Sequence, residues 1–448
     1  MQAKSFSLNI NQKIKPFIKS IKVDSDKSLS IRSFLIGSIC EDVSVAKNVL
    51  ESEDVLSTIN CLKKLGVQIR KKSKSYFIHG KGLGSLFAKK KLNLNFGNSG
   101  TLARLLIGIL STTPDIEIKL QGDHSLNKRS MKKLIEIMSE FGAKFLPKNK
   151  FNFPLKLIST EMPVCIKYKA GVSAQLKSAV ILAGLNSFGT TEIIEDKKSR
   201  DHTENLLIKN SQAIKIKKGR KKLITIYGKK YLNRINIDVP GDPSSAAFFV
   251  ALTLLSNNSS LKIKNVGLNP TRIGFYELLK KHGANIKFSN KRKKNNEITG
   301  DINIKSGKLK RPIIAPKNFY EKTTDEFPIL FCIAALTKGT SIFRGIEDLA
   351  NKESNRIKEM QKILKQIGVK SISTKNEMKV FGKSSVENKN KKITVPNLED
   401  HRICMSSVVL SLLTGIRTKI NNFETVNTSS PNFLKIIKSL GANFEITK

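Results

Sequence analysis

One short pattern recurs along the chain: the end of an amphipathic helix, then a glycine, then the beginning of a strand. The clear copies are CLKKLGVQI (61–69), LIEIMSEFGAKF (134–145), LLKKHGANI (278–286), KILKQIGVK (362–370) and IIKSLGANFEI (436–446). A glycine directly after the last helical turn is typical of a helix C-terminus, and a strand can begin after it. A copy without glycine, NLLIKNSQAIKI (205–216), fills the longest gap. The recurrence predicts six similar helix–strand units.

Six units in 448 residues are about 75 residues each, and together they exceed one ordinary hydrophobic core. Between the helices lie segments of alternating polar and apolar residues bounded by turn residues, which predict strands. The sequence therefore predicts an α+β protein. Two lobes of three units each are the simplest packing.

Two stretches are candidate boundaries between the lobes. In VPGDPSSAAFF (239–249) a Pro-Gly turn precedes an aspartate that can cap the next helix and a proline suited to its first position. The other boundary is expected near IKVDSDKSLS (21–30). Residues 1–24 and 240–448 are then expected to form a discontinuous lobe, and residues 25–239 an inserted lobe. Because clefts between domains are favoured ligand sites, the active site is expected in the cleft between the lobes.

The charge is strongly positive, with 80 Lys and Arg against 36 Asp and Glu, a net charge of +44. The basic runs KIKKGRKK (215–222), NKRKKNN (290–296) and NKNKK (388–392) look like hairpin loops. Aromatic residues make up 6% of the chain and do not interleave with the lysines, as a nucleic-acid stacking platform would require. The charge therefore favours a solvated surface that attracts small anions, and a nucleic-acid-binding protein remains an alternative resting on charge alone.

Other classes of protein receive little support from the sequence. No apolar run approaches the roughly 18 residues of a membrane helix, and the longest, such as FFVALTLL (248–255), suit buried helices. The N-terminal segment alternates like a strand and has no signal-peptide apolar region. The histidines show no metal-ligand spacing. Five scattered cysteines predict reduced, buried thiols in a cytoplasmic protein: Cys40, Cys61, Cys165, Cys332 and Cys404.

The stretch GNSGT (97–101) interrupts a strand-to-helix junction. An alternating run through Leu94 and Phe96 precedes it, and a helix-like run follows. Small residues at such a junction let a ligand approach the N–H groups of the first helical turn, which suits an anion. The alternative is an ordinary tight turn in which Ser99 or Thr101 caps the helix.

Several other stretches combine cations and hydroxyls with few carboxylates, which suits ligands rich in phosphate and carboxylate. They are DKSLSIR (26–32), GDHSLNKRSM (122–131), SAQLKS (173–178), SRDH (199–202), TTDEF (323–327), NKESNR (351–356) and EDHRI (399–403).

Some of these stretches also have an ordinary structural interpretation. If KESNRIKEM is one helix, Lys352 and Arg356 share a face, where a bound anion would offset their repulsion. The alternative is a solvated helix with a Glu353–Arg356 pair. DHRI (400–403) can equally be a capped helix start, and TTDEF a helix N-terminus with favourable acids.

The motifs also occur in a recognisable order: GNSGT (97–101), SAQLKSAVILAGL (173–185), RDHTE (200–204), VPGDPSSAAFF (239–249), DEFPIL (325–330), KESNR (352–356) and DHRI (400–403). Because its motifs occur in this order, the chain resembles the 5-enolpyruvylshikimate-3-phosphate synthase family over nearly its whole length. The resemblance implies a two-lobed enolpyruvyl transferase fold, an inside-out α/β barrel of six βαβαββ-type units with three per lobe. It also implies transfer of the enolpyruvyl group of phosphoenolpyruvate to the 5-hydroxyl of shikimate 3-phosphate, with release of phosphate from a tetrahedral intermediate.

The family's functional residues can be transferred to the positions that match its motifs. For shikimate 3-phosphate, the resemblance implies Lys27, Ser28, Arg32, Ser173, Gln175, Ser199, Arg200, Asp325 and Lys352. For phosphoenolpyruvate, it implies Lys27, Asn98, Gly100, Arg129, Gln175, Arg356 and Arg402. The implied catalytic residues are Asp325, as the base on the hydroxyl, Glu353, which moves the proton at C3, and Lys27. No metal or organic cofactor is implied, and a cytoplasmic monomer without nucleic-acid or membrane partners is expected.

The chain departs from the family pattern at several positions. Asp24 and Ser25 replace a Pro-Gly pair, Ile31 a His or Asn, Ser130 a Pro, Ala350 an Arg, Asn355 an Asp and Ser430 a Phe. The related UDP-N-acetylglucosamine enolpyruvyl transferases are the alternative with the same donor, but their reactive loop cysteine has no counterpart in residues 110–130.

Overall fold

A computed structural model of the chain describes residues 5–89, 91–294, 296–386 and 390–447. Its strands are β1 Ser7–Ile10, β2 Ile18–Ile21, β3 Val43–Lys47, β4 Gln68–Lys72, β5 Ser75–His79, β6 Asn93–Asn95, β7 Glu117–Gln121, β8 Lys144–Leu146, β9 Leu155–Ile158, β10 Lys167–Ala170, β11 Thr190–Glu195, β12 Ile214–Lys217, β13 Lys222–Tyr227, β14 Asn236–Asp238, β15 Ser260–Gly267, β16 Ile286–Lys294, β17 Glu297–Lys305, β18 Ile314–Ala315, β19 Gly339–Arg344, β20 Ser371–Ser373, β21 Glu377–Gly382, β22 Lys392–Val395, β23 Arg417–Ile420 and β24 Glu445–Thr447.

The α-helices are α1 Lys27–Ile39, α2 Glu53–Lys64, α3 Gly100–Ser111, α4 His124–Lys128, α5 Lys132–Glu140, α6 Ala174–Leu185, α7 His202–Leu207, α8 Pro243–Leu255, α9 Gly274–Lys281, α10 Phe327–Ala335, α11 Arg356–Gln366, α12 His401–Thr414 and α13 Phe433–Ser439. Three short 3₁₀ segments, Lys317–Lys322, Glu347–Asn351 and Phe423–Thr428, complete the helical structure of the described residues.

The described strands form six four-stranded sheets with one common arrangement. In the sheet β6-β7-β9-β8, the first two strands are parallel and the other pairs are antiparallel. The chain order there is strand, helix, strand, helix and hairpin, which is the βαβαββ unit. The sheet β10-β11-β13-β12 repeats the same order and pairing. The six-unit α+β fold expected from the sequence is therefore confirmed.

The chain divides into two compact units. The inserted unit comprises Ser25–Val239 with the short stretch Lys294–Glu297, and the discontinuous unit comprises the residues up to Asp24, Pro240–Lys293 and Ile298 onward. The sheets β14-β3-β5-β4, β6-β7-β9-β8 and β10-β11-β13-β12 belong to the inserted unit, and the sheets β22-β23-β1-β24, β16-β17-β15-β2 and β18-β19-β21-β20 to the discontinuous unit.

Two kinds of helix build each unit. Nearly every residue of α1, α3 and α6 in the inserted unit, and of α8, α10 and α12 in the discontinuous unit, is buried, as expected of a helix that is apolar on all sides. Helices such as α5 and α11 bury only one face. Each unit has its own hydrophobic core. Several functional motifs identified in the sequence lie at the N-terminal ends of these buried helices, such as GNSGT at α3, SAQLKS at α6 and DHRI at α12, whereas KESNR precedes α11.

The glycines of the repeat end helices as expected. Gly66, Gly142, Gly283, Gly368 and Gly441 all have positive φ, between 74° and 104°, and each lies between a helix and the following strand. The copy without glycine runs from α7 to β12 through residues 208–213. Asp242 also caps α8 as predicted, since its side chain accepts a hydrogen bond from the Ser244 N–H and Pro243 is the first helical residue.

Some expectations about loops and thiols are wrong. The basic run 290–296 was expected in a hairpin loop, but β16 continues through Lys294, because the long β16–β17 hairpin keeps its lysines on a solvated strand. Of the run 388–392, residues 388 and 389 lie outside the described residues. Four cysteines are buried as expected, but Cys165 is exposed because it precedes β10 at the surface. No helix among the described residues is long and apolar enough to cross a membrane.

A substitution at Gly441 tests the role of positive φ in the repeat. A Cβ at this position would meet no heavy atom within 4 Å, so Gly441→Ala isolates the backbone cost. We expect it to lower the free energy of unfolding by about 1 kcal/mol, because non-glycine residues disfavour the left-handed region. Urea unfolding measures the change.

Gly441→Asn is the matched control, since asparagine tolerates positive φ. Its free energy of unfolding should fall by clearly less than that of Gly441→Ala. Equal midpoints of urea unfolding for the wild type and Gly441→Ala would contradict a stabilising role for glycine at this positive φ.

Candidate active site

In the inserted unit, the start of α1 carries the first group of predicted ligand residues. The Asp26 side chain caps the helix by accepting from the Leu29 N–H at 2.8 Å. Lys27 is the first helical residue, and its Nζ lies 2.9 Å from Oδ2 of the buried Asp54. The next residue, Ser28, is half-buried. A carboxylate therefore fixes the Lys27 ammonium at the helix N-terminus.

Arg32 lies one turn further along α1 and is buried. Its Nε donates to the Thr203 hydroxyl at 2.9 Å, its Nη2 to the Ser178 hydroxyl at 3.2 Å and its Nη1 to the Ser28 carbonyl at 3.1 Å. These contacts hold the guanidinium against α6 and α7.

The GNSGT stretch forms the capped start of α3. Ser99 caps α3, because its hydroxyl accepts from the Leu102 N–H at 3.3 Å. The capping interpretation is thus correct, and it leaves the neighbouring residues for other contacts. The Asn98 side chain accepts from Arg129 Nη2 at 2.8 Å and donates to Asp123 Oδ2 at 2.8 Å. Two predicted phosphoenolpyruvate residues, Asn98 and Arg129, are therefore in direct contact.

Ser173 and Gln175 lie at the start of α6, which packs against α3. The Ser173 hydroxyl caps α6 by accepting from the Leu176 N–H at 3.4 Å. The Gln175 amide accepts from Arg104 Nη1 at 2.9 Å and donates to the Thr101 hydroxyl at 2.9 Å. The structure thus brings Gln175 to the N-terminus of α3.

Ser199 and Arg200 occupy the loop between β11 and α7. Ser199 is buried, and both its N–H and its hydroxyl donate to Glu195 Oε1, at 2.9 and 2.8 Å. Arg200 is half-buried beside it.

Arg356 is the centre of the second group, which lies in the discontinuous unit. Its side chain is 1% exposed, with Nε 3.0 Å from Asp400 Oδ2, Nη2 2.6 Å from Glu353 Oε2 and Nη1 3.9 Å from Asp325 Oδ1. Burial alone lowers the pKa of the guanidinium, but Asp400, Glu353 and Asp325 outweigh burial and raise the pKa above its ordinary value. Arg356 therefore stays charged and brings together the two predicted catalytic carboxylates, Asp325 and Glu353.

The expectation that Lys352 and Arg356 share a helix face is wrong. Helix α11 begins only at Arg356, because Asn355 caps it by accepting from the Lys358 N–H at 3.1 Å. Lys352 instead follows the 3₁₀ segment Glu347–Asn351. The alternative of a solvated helix with a Glu353–Arg356 pair is correct in the pair, which is present at 2.6 Å, and wrong in the solvation, because Arg356 is buried.

Lys352 is held by a different set of groups. Its Nζ lies 2.7 Å from Asp348 Oδ2 and 5.7 Å from the centre of the Tyr320 ring. The Tyr320 hydroxyl donates to the same Asp348 oxygen at 2.6 Å. Burial and the Asp348 charge raise the pKa of Tyr320, so the hydroxyl remains a donor.

Arg402 lies in the first turn of α12 and is 4% exposed. Its guanidinium carbon is 5.9 Å from the centre of the Phe248 ring. Its buried Nε and Nη1 atoms have no hydrogen-bond partner among the described residues. Because a buried guanidinium needs acceptors, this arrangement favours an anionic ligand.

Several departures from the family pattern have a local explanation. Asn355 serves as a helix cap, which aspartate would also do. The Asp24 carboxylate accepts from the Asn432 backbone N–H at 3.1 Å and side chain at 2.7 Å. The Ser430 hydroxyl lies 2.8 Å from the Ser245 hydroxyl. Nothing in the structure explains Ala350.

Residue-by-residue reading of the sequence missed the carboxylates that hold these cations. They are Asp54 for Lys27, Asp348 for Lys352 and Asp400 for Arg356. A fourth carboxylate, Glu195, holds the neutral Ser199. Asp54 and Asp400 lie far along the chain from their partners, and only the three-dimensional fold pairs them. Asp348 and Glu195 lie close to their partners in the sequence, but spacing alone does not reveal those contacts. No group of three or more His, Cys, Asp or Glu side chains in the described part of the chain could hold a metal ion.

The fold defines the class of protein. NikO, an enolpyruvyl transferase from Streptomyces tendae, shares the architecture with a TM-score of 0.77 at 13% identity, over 99% of this chain and 98% of that one. EPSP synthase from Acinetobacter baumannii matches with a TM-score of 0.84 at 34% identity, over 99% of this chain and 100% of that one. The chain therefore has an enolpyruvyl transferase fold.

The sequence comparisons are more specific. The model of the EPSP synthase (3-phosphoshikimate 1-carboxyvinyltransferase) family matches residues 11–437. A 3-phosphoshikimate 1-carboxyvinyltransferase from Zymomonas mobilis is 37% identical over 443 residues, 98% of this chain and 97% of that protein. One from Thermoanaerobacter sp. is 38% identical over 441 residues, 97% of this chain and all of that protein. The chain belongs to the EPSP synthase family, which confirms the resemblance noted in the sequence.

The Asp400–Arg356 contact generates a prediction about stability. Asp400→Asn keeps a side chain able to cap α12 but removes the negative charge beside the buried guanidinium. We expect the free energy of unfolding to fall by about 3 kcal/mol, since the guanidinium loses its fully buried counter-charge and keeps only the half-buried Glu353 and Asp325.

Asp348→Asn is the control, because that carboxylate is 47% exposed beside Lys352. It should lose less than about 1 kcal/mol, as surface pairs do. Denaturant titration compares the two variants, and equal losses would show that burial of the Asp400 pair is not decisive.

Proposed function

We propose that the chain carries out the reaction of its family with the residues assembled in the two units. It transfers the enolpyruvyl group of phosphoenolpyruvate to the 5-hydroxyl of shikimate 3-phosphate and releases phosphate, in the shikimate pathway. The observation that carries the residue assignment is the Arg356 cluster, where one buried guanidinium contacts both predicted catalytic carboxylates.

The inserted unit offers groups suited to a phosphorylated ligand. Hydroxyls and guanidinium groups bind phosphate oxygens well, and Ser173, Ser199 and Arg200 supply them in this unit. We assign these three residues to the 3-phosphate of shikimate 3-phosphate. Lys27, Ser28, Arg32 and Gln175 complete this part of the binding site, together with Asp325 and Lys352 of the discontinuous unit.

Phosphoenolpyruvate carries a phosphate and a carboxylate, and it requires several cations. We assign Arg129 and Asn98, which are in contact, together with Lys27, Gly100 and Gln175 in the inserted unit. Arg356 and Arg402 in the discontinuous unit are assigned to the same ligand. The unfilled hydrogen-bonding capacity of Arg402 supports this assignment.

The chemistry needs a base for the acceptor hydroxyl and a group that protonates and later deprotonates C3. Asp325 is assigned to the hydroxyl, and Glu353 to C3. Removal of the hydroxyl proton lets the oxygen attack C2 of the enolpyruvyl group while C3 takes up a proton. Loss of phosphate and of one C3 proton then restores the double bond. Cations such as Lys27 and Arg356 stabilise the charge that moves onto the phosphate.

The acceptor is tested directly by measuring phosphate release from phosphoenolpyruvate with two acceptors. With shikimate 3-phosphate, each phosphate released should accompany one enolpyruvyl product. With UDP-N-acetylglucosamine, release should stay at background. The opposite preference would overturn the proposed acceptor, and the absence of turnover with both would overturn the proposed function.

We further propose that the enzyme is a cytoplasmic monomer that binds no nucleic acid. All assigned residues come from one chain, so no second copy is needed to complete the site. The positive surface attracts the two anionic substrates in this proposal. Light scattering tests the monomer, and filter binding with duplex and single-stranded DNA at physiological salt tests the nucleic-acid alternative.

The role of Asp325 predicts a large loss of rate on substitution. Asp325→Asn keeps the size of the side chain but cannot accept the hydroxyl proton, so kcat should fall by roughly 10²–10⁴. The protein should remain folded by circular dichroism. Glu347→Gln, an acid in the nearby 3₁₀ segment with no assigned role, is the control. A kcat for Asp325→Asn within threefold of the wild type would remove Asp325 from the mechanism.

The position of Gly100 predicts how the site treats glyphosate, which occupies the phosphoenolpyruvate site in this family and is slightly longer than the substrate. A Cβ at Gly100 would lie 2.7 Å from Arg104 Nη1 and 3.3 Å from Arg129 Nη1. Gly100→Ala therefore forces these side chains to shift. Overpacking commonly costs about 1–3 kcal/mol, and we expect the longer ligand to bear more of it.

Consequently, Gly100→Ala should raise the Ki of glyphosate by a larger factor than the KM of phosphoenolpyruvate. Both constants are measured for both proteins at one salt concentration. If Gly100→Ala raises the Ki of glyphosate and the KM of phosphoenolpyruvate by the same factor, steric crowding at Gly100 does not distinguish the two ligands.

A further inference from the structure

A buried ionic cluster lies in the inserted unit, in contact with the loop that carries Ser199. It consists of Lys177, Glu195, Glu204 and Lys222, and we call it the Glu195 cluster. Lys177 Nζ lies 2.6 Å from Glu195 Oε1 and 2.8 Å from Glu204 Oε1. Lys222 Nζ lies 2.9 Å from Glu204 Oε1 and 3.4 Å from Glu195 Oε2. Two ammonium groups thus neutralise two carboxylates.

The cluster is more buried than ion pairs usually are. The side chains of Lys177, Glu195 and Glu204 are at most 1% exposed, and that of Lys222 is 14% exposed. Burial alone raises the pKa of Glu195, but Lys177, the Ser199 hydrogen bond and Lys222 outweigh it, and the pKa is lowered. A buried ion pair is weak support for stability compared with apolar side chains of similar volume. A role in placing other groups is therefore the better explanation.

Glu195 connects the cluster to a residue assigned to the substrate. One of its oxygens, Oε1, accepts from the Ser199 N–H, the Ser199 hydroxyl and Lys177. The backbone and the side chain of Ser199 thereby both close the loop from Glu195 to Ser199. Arg200 follows this loop directly. Bonds to a charged acceptor are stronger and shorter than those between neutral groups.

The same two helices also hold Arg32. Ser178 and Thr203 neighbour Lys177 on α6 and Glu204 on α7, and both contact the Arg32 guanidinium. Their hydroxyls lie 2.8 Å apart. Ion pairs and hydroxyl contacts therefore connect α6 and α7 side by side, and Ser173 and Gln175 lie at the start of α6.

We propose that Glu195 is a positioning residue for shikimate 3-phosphate: one of its carboxylate oxygens fixes the Ser199–Arg200 loop through two hydrogen bonds from Ser199 and also accepts from Lys177. It touches no reacting atom, so it acts on the affinity for this substrate and not on the chemical step. Lys177 and Lys222 keep the buried carboxylate charged. The inference rests on the proposed function, because it requires that the Ser199–Arg200 loop binds the substrate.

Two double variants test the proposal with a matched charge balance. Lys177→Met/Glu195→Met leaves the Glu204–Lys222 pair and removes the acceptor for Ser199. Lys177→Met/Glu204→Met leaves the Glu195–Lys222 pair and keeps that acceptor. Both remove one positive and one negative charge and introduce the same two side chains.

The Kd of shikimate 3-phosphate is measured by calorimetry without phosphoenolpyruvate. The Glu195 double variant should raise this Kd by about tenfold or more, because charge-assisted contacts that place the loop are lost. The Glu204 double variant should stay within threefold of the wild type. For both, kcat at saturating substrates should stay within threefold. Lys177→Met/Glu195→Gln should recover part of the affinity, since its amide oxygen can still accept from Ser199.

The outcomes separate this proposal from the proposed function. If the wild type turns over shikimate 3-phosphate and both double variants keep its Kd, or raise it equally, Glu195 has no positioning role. Unequal unfolding midpoints with equal Kd values would likewise assign Glu195 to stability alone. A wild type that neither binds nor converts shikimate 3-phosphate would overturn the proposed function and, with it, this inference.

Discussion

The burial of Arg356 against Asp400 is the interaction on which the chemistry of the discontinuous unit depends. An arginine that is 1% exposed cannot lose its charge, and it needs acceptors around its whole guanidinium. Asp400, which is fully buried and caps α12, supplies the fixed acceptor. Glu353 accepts from Nη2, whereas Asp325 lies 3.9 Å from Nη1, which has no hydrogen-bond partner among the described residues. Both acids are half-buried, where they can also meet a ligand. One buried cation thus brings two acids to a common centre.

In the inserted unit, different residues neutralise the charges that lie inside the protein. There a neutral set of two lysines and two glutamates lies inside the protein, and one glutamate oxygen holds the Ser199 loop. In both units the buried charges lie beside the N-terminal ends of helices. These ends favour anions, because their N–H groups are unsatisfied and the helix dipole is positive there. The repeated βαβαββ unit provides several such helix starts within one unit, and for this reason the fold suits substrates that carry phosphate and carboxylate.

The sequence predicted most of the fold, because the signals for the fold are local. Each repeat glycine, such as Gly283, marks a helix end by its positive φ, and a cap such as Asp242 marks a helix start. The sequence was less informative about the site. It identified Arg356 but assigned it to a helix shared with Lys352, since the cap formed by Asn355 is not distinguishable from an interior residue by spacing alone. The partner Asp400 was missed, because it lies 44 residues from Arg356 along the chain and the pair leaves no local pattern. Glu195 was missed although Ser199 lies nearby in the sequence, because the burial of this acid is not visible in its own segment.

The central claim is that shikimate 3-phosphate is bound by the residues that the buried charges hold in place. A crystal structure of the chain with this ligand tests the claim most directly. The account predicts that the phosphate oxygens lie within about 3.2 Å of the Ser173 and Ser199 hydroxyls and of the Arg200 guanidinium. We also expect Glu195 to accept still from the Ser199 N–H, since the single hydroxyl proton of Ser199 is then donated to the phosphate. A phosphate bound at Arg402, or a Ser199 loop that has left Glu195 in the complex, would contradict it.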